Sequence, residues 1–156
     1  VAINSAAIKN PKLILDLVNK FGSSTIVISI EAKQISKNKW EVYVEGGREK
    51  TGIDVIDWVH KTIKMGVGEI LLTSVDREGT RKGYDINLTK LITDISSVPV
   101  IASGGMGKID DIIDVVSEGK ADAVSMADVI HYNRLSLKQI RETIIKNKIN
   151  TRVIDG

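Results

Sequence analysis

The sequence predicts an α/β chain built on a parallel sheet, and three observations carry that expectation. Short apolar runs, mostly β-branched, alternate with segments whose apolar residues recur at i, i+3, i+4 and i+7. The connections between them are short. Two of the runs break at their C-terminal ends into small, polar, glycine-rich residues just before a helical pattern. These are Leu71-Leu72-Thr73-Ser74-Val75-Asp76-Arg77-Glu78-Gly79-Thr80 and Val100-Ile101-Ala102-Ser103-Gly104-Gly105. Strand ends of this kind bind phosphate and carry chemistry in parallel barrels.

Strands are expected at residues 1–4, 25–30, 69–73, 98–102 and 121–126, as apolar runs suited to burial on both faces. After the first, Asn10-Pro11 opens a helix with the stripe Ile14, Leu17, Val18 and Phe21. The second strand is followed by a departure from the rhythm. Residues 39–45 alternate, with Trp40, Val42 and Val44 on one face, and Lys37-Asn38 makes a turn after residues 34–36. This reads as an inserted β-hairpin, and insertions at strand C-termini lie on the active-site face of a barrel. Ile53, Ile56 and Ile63 mark the next helix. Leu88, Leu91, Ile92 and Ile95 mark another, and Ile109, Ile112, Ile113 and Val116 a third. Leu137, Ile140 and Ile144 give a last, weaker stripe. Gly22, Gly66 and Gly119 follow helices at the C′ position.

Five strands are too few to close a (β/α)8 barrel, which needs eight and about 250 residues. The chain also opens inside an apolar strand. The expectation is a single domain over residues 1–156 forming part of a TIM barrel, with a five-stranded flavodoxin-like open sheet as the alternative.

Composition narrows the function. Among 156 residues, 42% are apolar and 27% charged, as in ordinary globular chains, and the net charge of +2 is too small to suggest nucleic acid. The absence of cysteine excludes thiolate chemistry, and only two histidines, His60 and His131, argue against a histidine-rich metal site. No metal or cofactor is expected. No apolar run approaches the ~18 residues of a membrane span and no charged-then-apolar leader opens the chain, so a cytoplasmic location is expected.

Several residues point to chemistry. Glu31 ends an apolar strand, where an unpaired carboxylate is costly. Acid/base work in a cleft is one reading and an ion pair with Lys33 or Lys50 the other. Ser103, Gly104 and Gly105 let the backbone approach an anion, with a helix N-terminus following at Gly107-Lys108. Asn4 and Ser5 end the first strand and either hold phosphate or form a structural turn. Thr73, Glu78 and Gly79 follow the third strand, where substrate contact competes with a solvated charge cluster of Asp76, Arg77 and Glu78. Glu69 begins that strand and so faces the opposite end of the barrel. His131 reads as structural and Trp58 as packing.

Together, Val1-Ala2-Ile3-Asn4-Ser5-Ala6-Ala7, Glu31-Ala32-Lys33, Asp57-Trp58-Val59, Gly68-Glu69-Ile70-Leu71-Leu72-Thr73-Ser74, residues 76–80 with Gly83-Tyr84-Asp85, and residues 101–105 with Gly107-Lys108 resemble one family. It is the cyclase subunit of imidazole glycerol phosphate synthase, from histidine biosynthesis. The resemblance runs from Val1 to Gly156 and covers that family's fourth to eighth strands; the hairpin sits where the family carries one.

The resemblance implies a lyase-type cyclisation. Ammonia from a partner glutaminase subunit passes through the barrel and attacks a bis-phosphorylated ribulosyl aminoimidazole carboxamide, giving imidazole glycerol phosphate and an aminoimidazole carboxamide ribotide. Of the family's two catalytic aspartates, one lies on the first strand, outside this chain, and the other corresponds to Glu31. Glu69 corresponds to a member of a charged ammonia gate. Three positions depart from the family: Glu31 and Glu78 replace aspartates, and Asp128 replaces a small hydroxyl residue that helps to hold phosphate after the eighth strand. An anion at residue 128 repels phosphate, or caps its own helix and fills the anion site. The alternatives are a cyclase-like paralogue that delivers ammonia to a sugar in surface-polysaccharide biosynthesis, and an inactive folding unit. With open strand edges, the chain by itself is expected to self-associate and to be inactive.

Overall fold

Isoleucine, valine and alanine fill every second position of the strands, and that alternation decides which face of the sheet is covered. In a computed structural model, which describes residues 1–151, five parallel strands appear in sequence: β1 (Ala2–Ile3), β2 (Val27–Ser36), β5 (Glu69–Ser74), β6 (Val100–Ser103) and β7 (Ala123–Val124). They lie side by side in that order. Ile28, Ile30, Ala32, Ile70, Leu72, Val100 and Ala102 point to one face and are buried there. Each aliphatic side chain so covered contributes about 1.5–3 kcal/mol relative to exposure.

That face is covered by helices α2 (Lys12–Phe21), α3 (Val55–Lys64) and α4 (Ile86–Thr93), whose Ile14, Trp58, Val59, Leu88 and Ile92 share one cluster with the strands. A second cluster joins Ala102 and Met106 to α5 (Asp110–Ser117) and α7 (Leu137–Lys146) through Ile112, Val115, Ile140 and Ile144. The sheet is α/β and largely parallel, and among the described residues it does not close: β7 is one edge, and the other is shared by β1 and the hairpin.

Several boundaries differ from the sequence expectation. The second strand does not end at residue 30. It continues to Ser36 because β3 (Lys39–Val44) pairs antiparallel along its outer half, beyond the short stretch that β1 covers. Asn38, at φ 58, makes the turn, and the register slips between Gln34 and Ser36. A further strand, β4 (Glu49–Asp54), extends the hairpin. Helix α1 (Ser5–Lys9) precedes α2 and was not expected.

The buried face of α3 is Val55, Trp58, Val59 and Thr62, not the stripe through Ile53, which belongs to β4. Phe21 and Leu137 are exposed. Gly22 and Gly66 follow their helices with φ of 83° and 90°, but after α5 the left-handed residue is Lys120 at φ 56, not Gly119.

Candidate functional site

Strand register brings three of the candidate residues into one row. Glu31 of β2 is the partner of Thr73 of β5, and Thr73 is the partner of Ser103 of β6. Paired residues share a face, so all three point away from the helix-covered side. Each is half-buried. Glu69 lies on the same face at the start of β5, four residues back from Thr73, or about 13 Å at ~3.3 Å per residue.

Glu31 forms neither of the expected ion pairs with Lys33 or Lys50. Its Oε2 accepts a hydrogen bond of 2.8 Å from the backbone N–H of Gly47, in the turn between β3 and β4. The same turn reaches the end of β1. Glu45 N–H donates to Ser5 Oγ at 3.2 Å, and Lys9 Nζ pairs with Glu45 at 3.1 Å. Asn4 Nδ2 donates to the Tyr43 carbonyl at 3.4 Å, while its Oδ1 is buried without a hydrogen-bond partner among the described residues. Asn4 and Ser5 therefore meet the hairpin.

Beyond the row, the loops after β5, β6 and β7 enclose a cleft of about 80 Å³. Glu78, Gly79, Ser103, Gly104, Gly105 and Asp128 all line it. Arg81, Ser125 and Met126 line it as well, and sequence reasoning passed over them. Gly104 and Gly105 carry φ of 92° and 99°, and their N–H groups have no acceptor among the described residues. A Cβ on Gly104 would stand 2.9 Å from the Ser74 carbonyl and 3.1 Å from Glu78 Oε2, so only glycine permits this close approach.

The cleft thus combines free N–H donors, two hydroxyls, one guanidinium and two carboxylates. Asp128 does not act as a helix cap. It is the first residue of α6 (Asp128–His131), with no side-chain capping bond, and its Oδ1 lies 3.3 Å from Arg134 Nε without hydrogen-bond alignment.

The helix that follows Gly107-Lys108 offers fewer donors than the sequence suggested. Asp111, in the first turn of α5 and buried, accepts from Gly107 N–H at 2.8 Å and Lys108 N–H at 2.9 Å through its Oδ2. Those two donors are spent within the protein. The neighbouring segment ties the three loops together. Gly83 N–H donates to the Gly105 carbonyl at 2.8 Å, Tyr84 Oη donates to the Ser125 carbonyl at 3.0 Å, and Ser74 Oγ donates to Asp85 Oδ2 at 3.2 Å. Burial holds the Tyr84 phenol well above its ordinary pKa, with the Asp111 and Glu78 charges adding to the effect.

Other candidates take structural places. Asp76 Oδ2 accepts from Gln34 N–H at 2.7 Å and so anchors the far end of β2. Trp58 is core, and His131 is exposed with its ring edge against Tyr132. Among the described residues no group of three or more His, Cys, Asp or Glu side chains is placed to hold a metal ion, and no helix is long and apolar enough to cross a membrane.

Comparison with known proteins gives this geometry a context. Residues 1–136 match the family model described as "Histidine biosynthesis protein". Three similar proteins all carry the name "Imidazole glycerol phosphate synthase subunit HisF". That of Alkaliphilus metalliredigens is 45% identical over 152 residues, 97% of this chain and 60% of the relative. That of Prochlorococcus marinus strain AS9601 is 48% identical over 154 residues, again 97% and 60%. That of Lactococcus lactis subsp. cremoris strain SK11 is 47% identical over 155 residues, 99% and 60%. The chain spans about 60% of the length of these relatives. On this match, which covers most of its length, the chain belongs to the histidine biosynthesis protein family.

Proposed function

We propose that this chain supplies the later strands of a cyclase barrel of the imidazole glycerol phosphate synthase type, with Glu31 as its catalytic carboxylate. In that barrel, ammonia delivered by a glutaminase subunit closes the imidazole ring of a bis-phosphorylated ribulosyl aminoimidazole carboxamide. Glu31 accepts and returns protons as the ring forms. Thr73 and Ser103 hydrogen-bond substrate hydroxyls. Gly104 and Gly105 present their N–H groups to one phosphate, Asn4 and Ser5 lie toward the other, and Glu69 stands on the ammonia side of the same face.

The observation that carries the reading is the single row Glu31–Thr73–Ser103, leading into a cleft whose glycine N–H groups are free. The names of the relatives agree with it. The test uses the chain joined behind the first three strands of one such relative, assayed for cyclisation with ammonium salts. Glu31→Gln should lose far more turnover than Glu31→Asp, which keeps a carboxylate but withdraws it by about a bond length. Misplacement on the scale of ~1 Å costs up to ~100-fold. Equal losses would remove Glu31 from the mechanism.

A second reading has its own support. Glu78 and Asp128 put two carboxylates in the cleft, which suits a phosphate dianion poorly. A paralogue that gives ammonia to a sugar in surface-polysaccharide biosynthesis has no need of that dianion. Ring closure by the joined barrel at rates near those of the relatives would exclude this reading.

A further inference from the structure

The turn between β3 and β4 is held in an unusual way. Glu45, Gly46 and Gly47 are all left-handed in succession, at φ of 54°, 69° and 75°. A run of three such residues is sterically costly for a non-glycine member and persists only where surrounding contacts fix it. The contacts here are specific. Arg48 Nε donates to the Glu45 carbonyl at 2.9 Å, Lys9 pairs with the Glu45 side chain, and Glu45 N–H reaches Ser5 Oγ. A Cβ on Gly47 would stand 3.0 Å from both methyls of Val75, so Val75 sets how far the turn can move over the sheet.

From these anchors Gly47 N–H projects onto Glu31 Oε2 at 2.8 Å. A carboxylate on a flexible side chain would otherwise sample several rotamers on the open face of the sheet. One directed N–H bond to one of its oxygens leaves the other oxygen for a ligand.

We propose that Gly47 is a positioning residue for Glu31. The β3–β4 turn acts as a strut from the Ser5 end of β1 to the carboxylate, and it fixes which oxygen faces the Thr73–Ser103 side. This inference rests on the catalytic reading of Glu31 given above. The strut acts through backbone donors, so no side-chain pattern in the sequence announces it. It also ties the two ends of the substrate site together, because Ser5 and Glu31 are held by N–H groups two residues apart in one rigid turn.

The test has a spectroscopic arm and a kinetic arm, both in the joined barrel. In the first, the Gly47 amide proton is followed by nitrogen-15 correlation spectra. Glu31→Gln should move it upfield, since a neutral amide is a weaker acceptor than a carboxylate. An unmoved Gly47 resonance would overturn the proposal.

In the second arm, Gly47→Ala pushes the turn off Val75 by a few tenths of an ångström. It should lower kcat by about tenfold with KM within about twofold of the parent, the pattern of a misplaced catalytic group. In the Glu31→Gln background the same substitution should cost nothing further. A tenfold loss in both backgrounds would mean that the turn acts through something other than Glu31. Unchanged kcat in Gly47→Ala, beside a strongly impaired Glu31→Gln, overturns the positioning alone. Full turnover by Glu31→Gln overturns the catalytic reading as well, so the two failures are told apart.

Discussion

Asp111 holds the backbone N–H groups of Gly107 and Lys108 with a single carboxylate oxygen, at 2.8 and 2.9 Å. The loop after β6 therefore carries its own anion at the point where a helix start would otherwise attract one from solution. Gly104, Gly105 and Met106, earlier in the loop, keep N–H groups without an acceptor among the described residues.

Asp111→Ala removes that internal anion and leaves two part-buried N–H groups unpaired. The loss should be about 2 kcal/mol, several degrees in Tm for a chain of this size. Sulfate should return part of it by occupying the vacated donors, since a ligand that binds only the folded state stabilises it. The measurement is Tm of parent and variant in sulfate and in chloride at matched ionic strength. Equal sulfate shifts in the two proteins would show that the Gly107 and Lys108 donors are not open to anions even when freed.

Tyr84 gives a pH prediction with a definite sign. Burial and the nearby Asp111 and Glu78 carboxylates raise its folded pKa above the ordinary 10.0. The folded state then prefers the protonated phenol, so its contribution is full below the unfolded pKa and falls away as pH rises beyond about 10 toward the folded value. Urea unfolding from pH 8 to 11 should show a decline that Tyr84→Phe lacks. The phenylalanine variant should also start about 1 kcal/mol lower at neutral pH, because the Ser125 carbonyl loses its donor. Parallel pH curves for the two proteins would refute the assignment.

Much of this architecture was legible in the sequence, and the exceptions have physical causes. The parallel strands announce themselves because Ile, Val and Leu must fill both the helix-facing and the barrel-facing positions. β4 carries Glu49, Lys50 and Thr51 with no alternation, and it is a strand only because β3 offers it an edge. The phase of α3 differs from the stripe through Ile53 because Ile53 completes β4 while the helix begins at Val55. In the site, Ser103-Gly104-Gly105 follows from the end of β6, whereas Glu31, expected at a strand end, lies midway along β2 because the hairpin extends that strand to Ser36. The contacts that shape them were not legible: Glu31 to Gly47 spans 16 residues and Tyr84 to Ser125 spans 41. Asp111 shows in the sequence only as an acidic residue in the first turn of α5, and its two bonds depend on how the preceding loop folds back.

The open sheet leads to an assembly prediction. Val27, Leu71 and Ile101 lie half-buried on the face that the helices leave uncovered, and β1 and β7 each present a short unpaired edge. Exposed edges beside apolar surface favour pairing with another chain. Residues 1–156 alone should form dimers or larger species at micromolar concentration by light scattering. A monodisperse monomer with cooperative unfolding would show that the uncovered face is tolerated.

Asp128 and Arg134 settle the character of the cleft through variants of opposite sign. Two unit charges 4 Å apart interact by about 4 kcal/mol at an effective dielectric near 20, and screening leaves a fraction of that at a partly exposed site. Arg134 Nε, 3.3 Å from Asp128 Oδ1, already offsets part of the carboxylate. Asp128→Ser removes the anion and frees Arg134, so sulfate or phosphate should bind about tenfold more tightly, or about 1.4 kcal/mol, with the larger gain at low salt. Arg134→Ala leaves Asp128 uncompensated and should weaken the same binding. Calorimetric titration of the three proteins at two ionic strengths reads both effects. If neither variant changes affinity, Asp128 does not govern anion binding, and the sugar-directed reading is left with Glu78 alone. If only Arg134→Ala acts, Arg134 itself is the anion's partner and Asp128 serves to hold it in place.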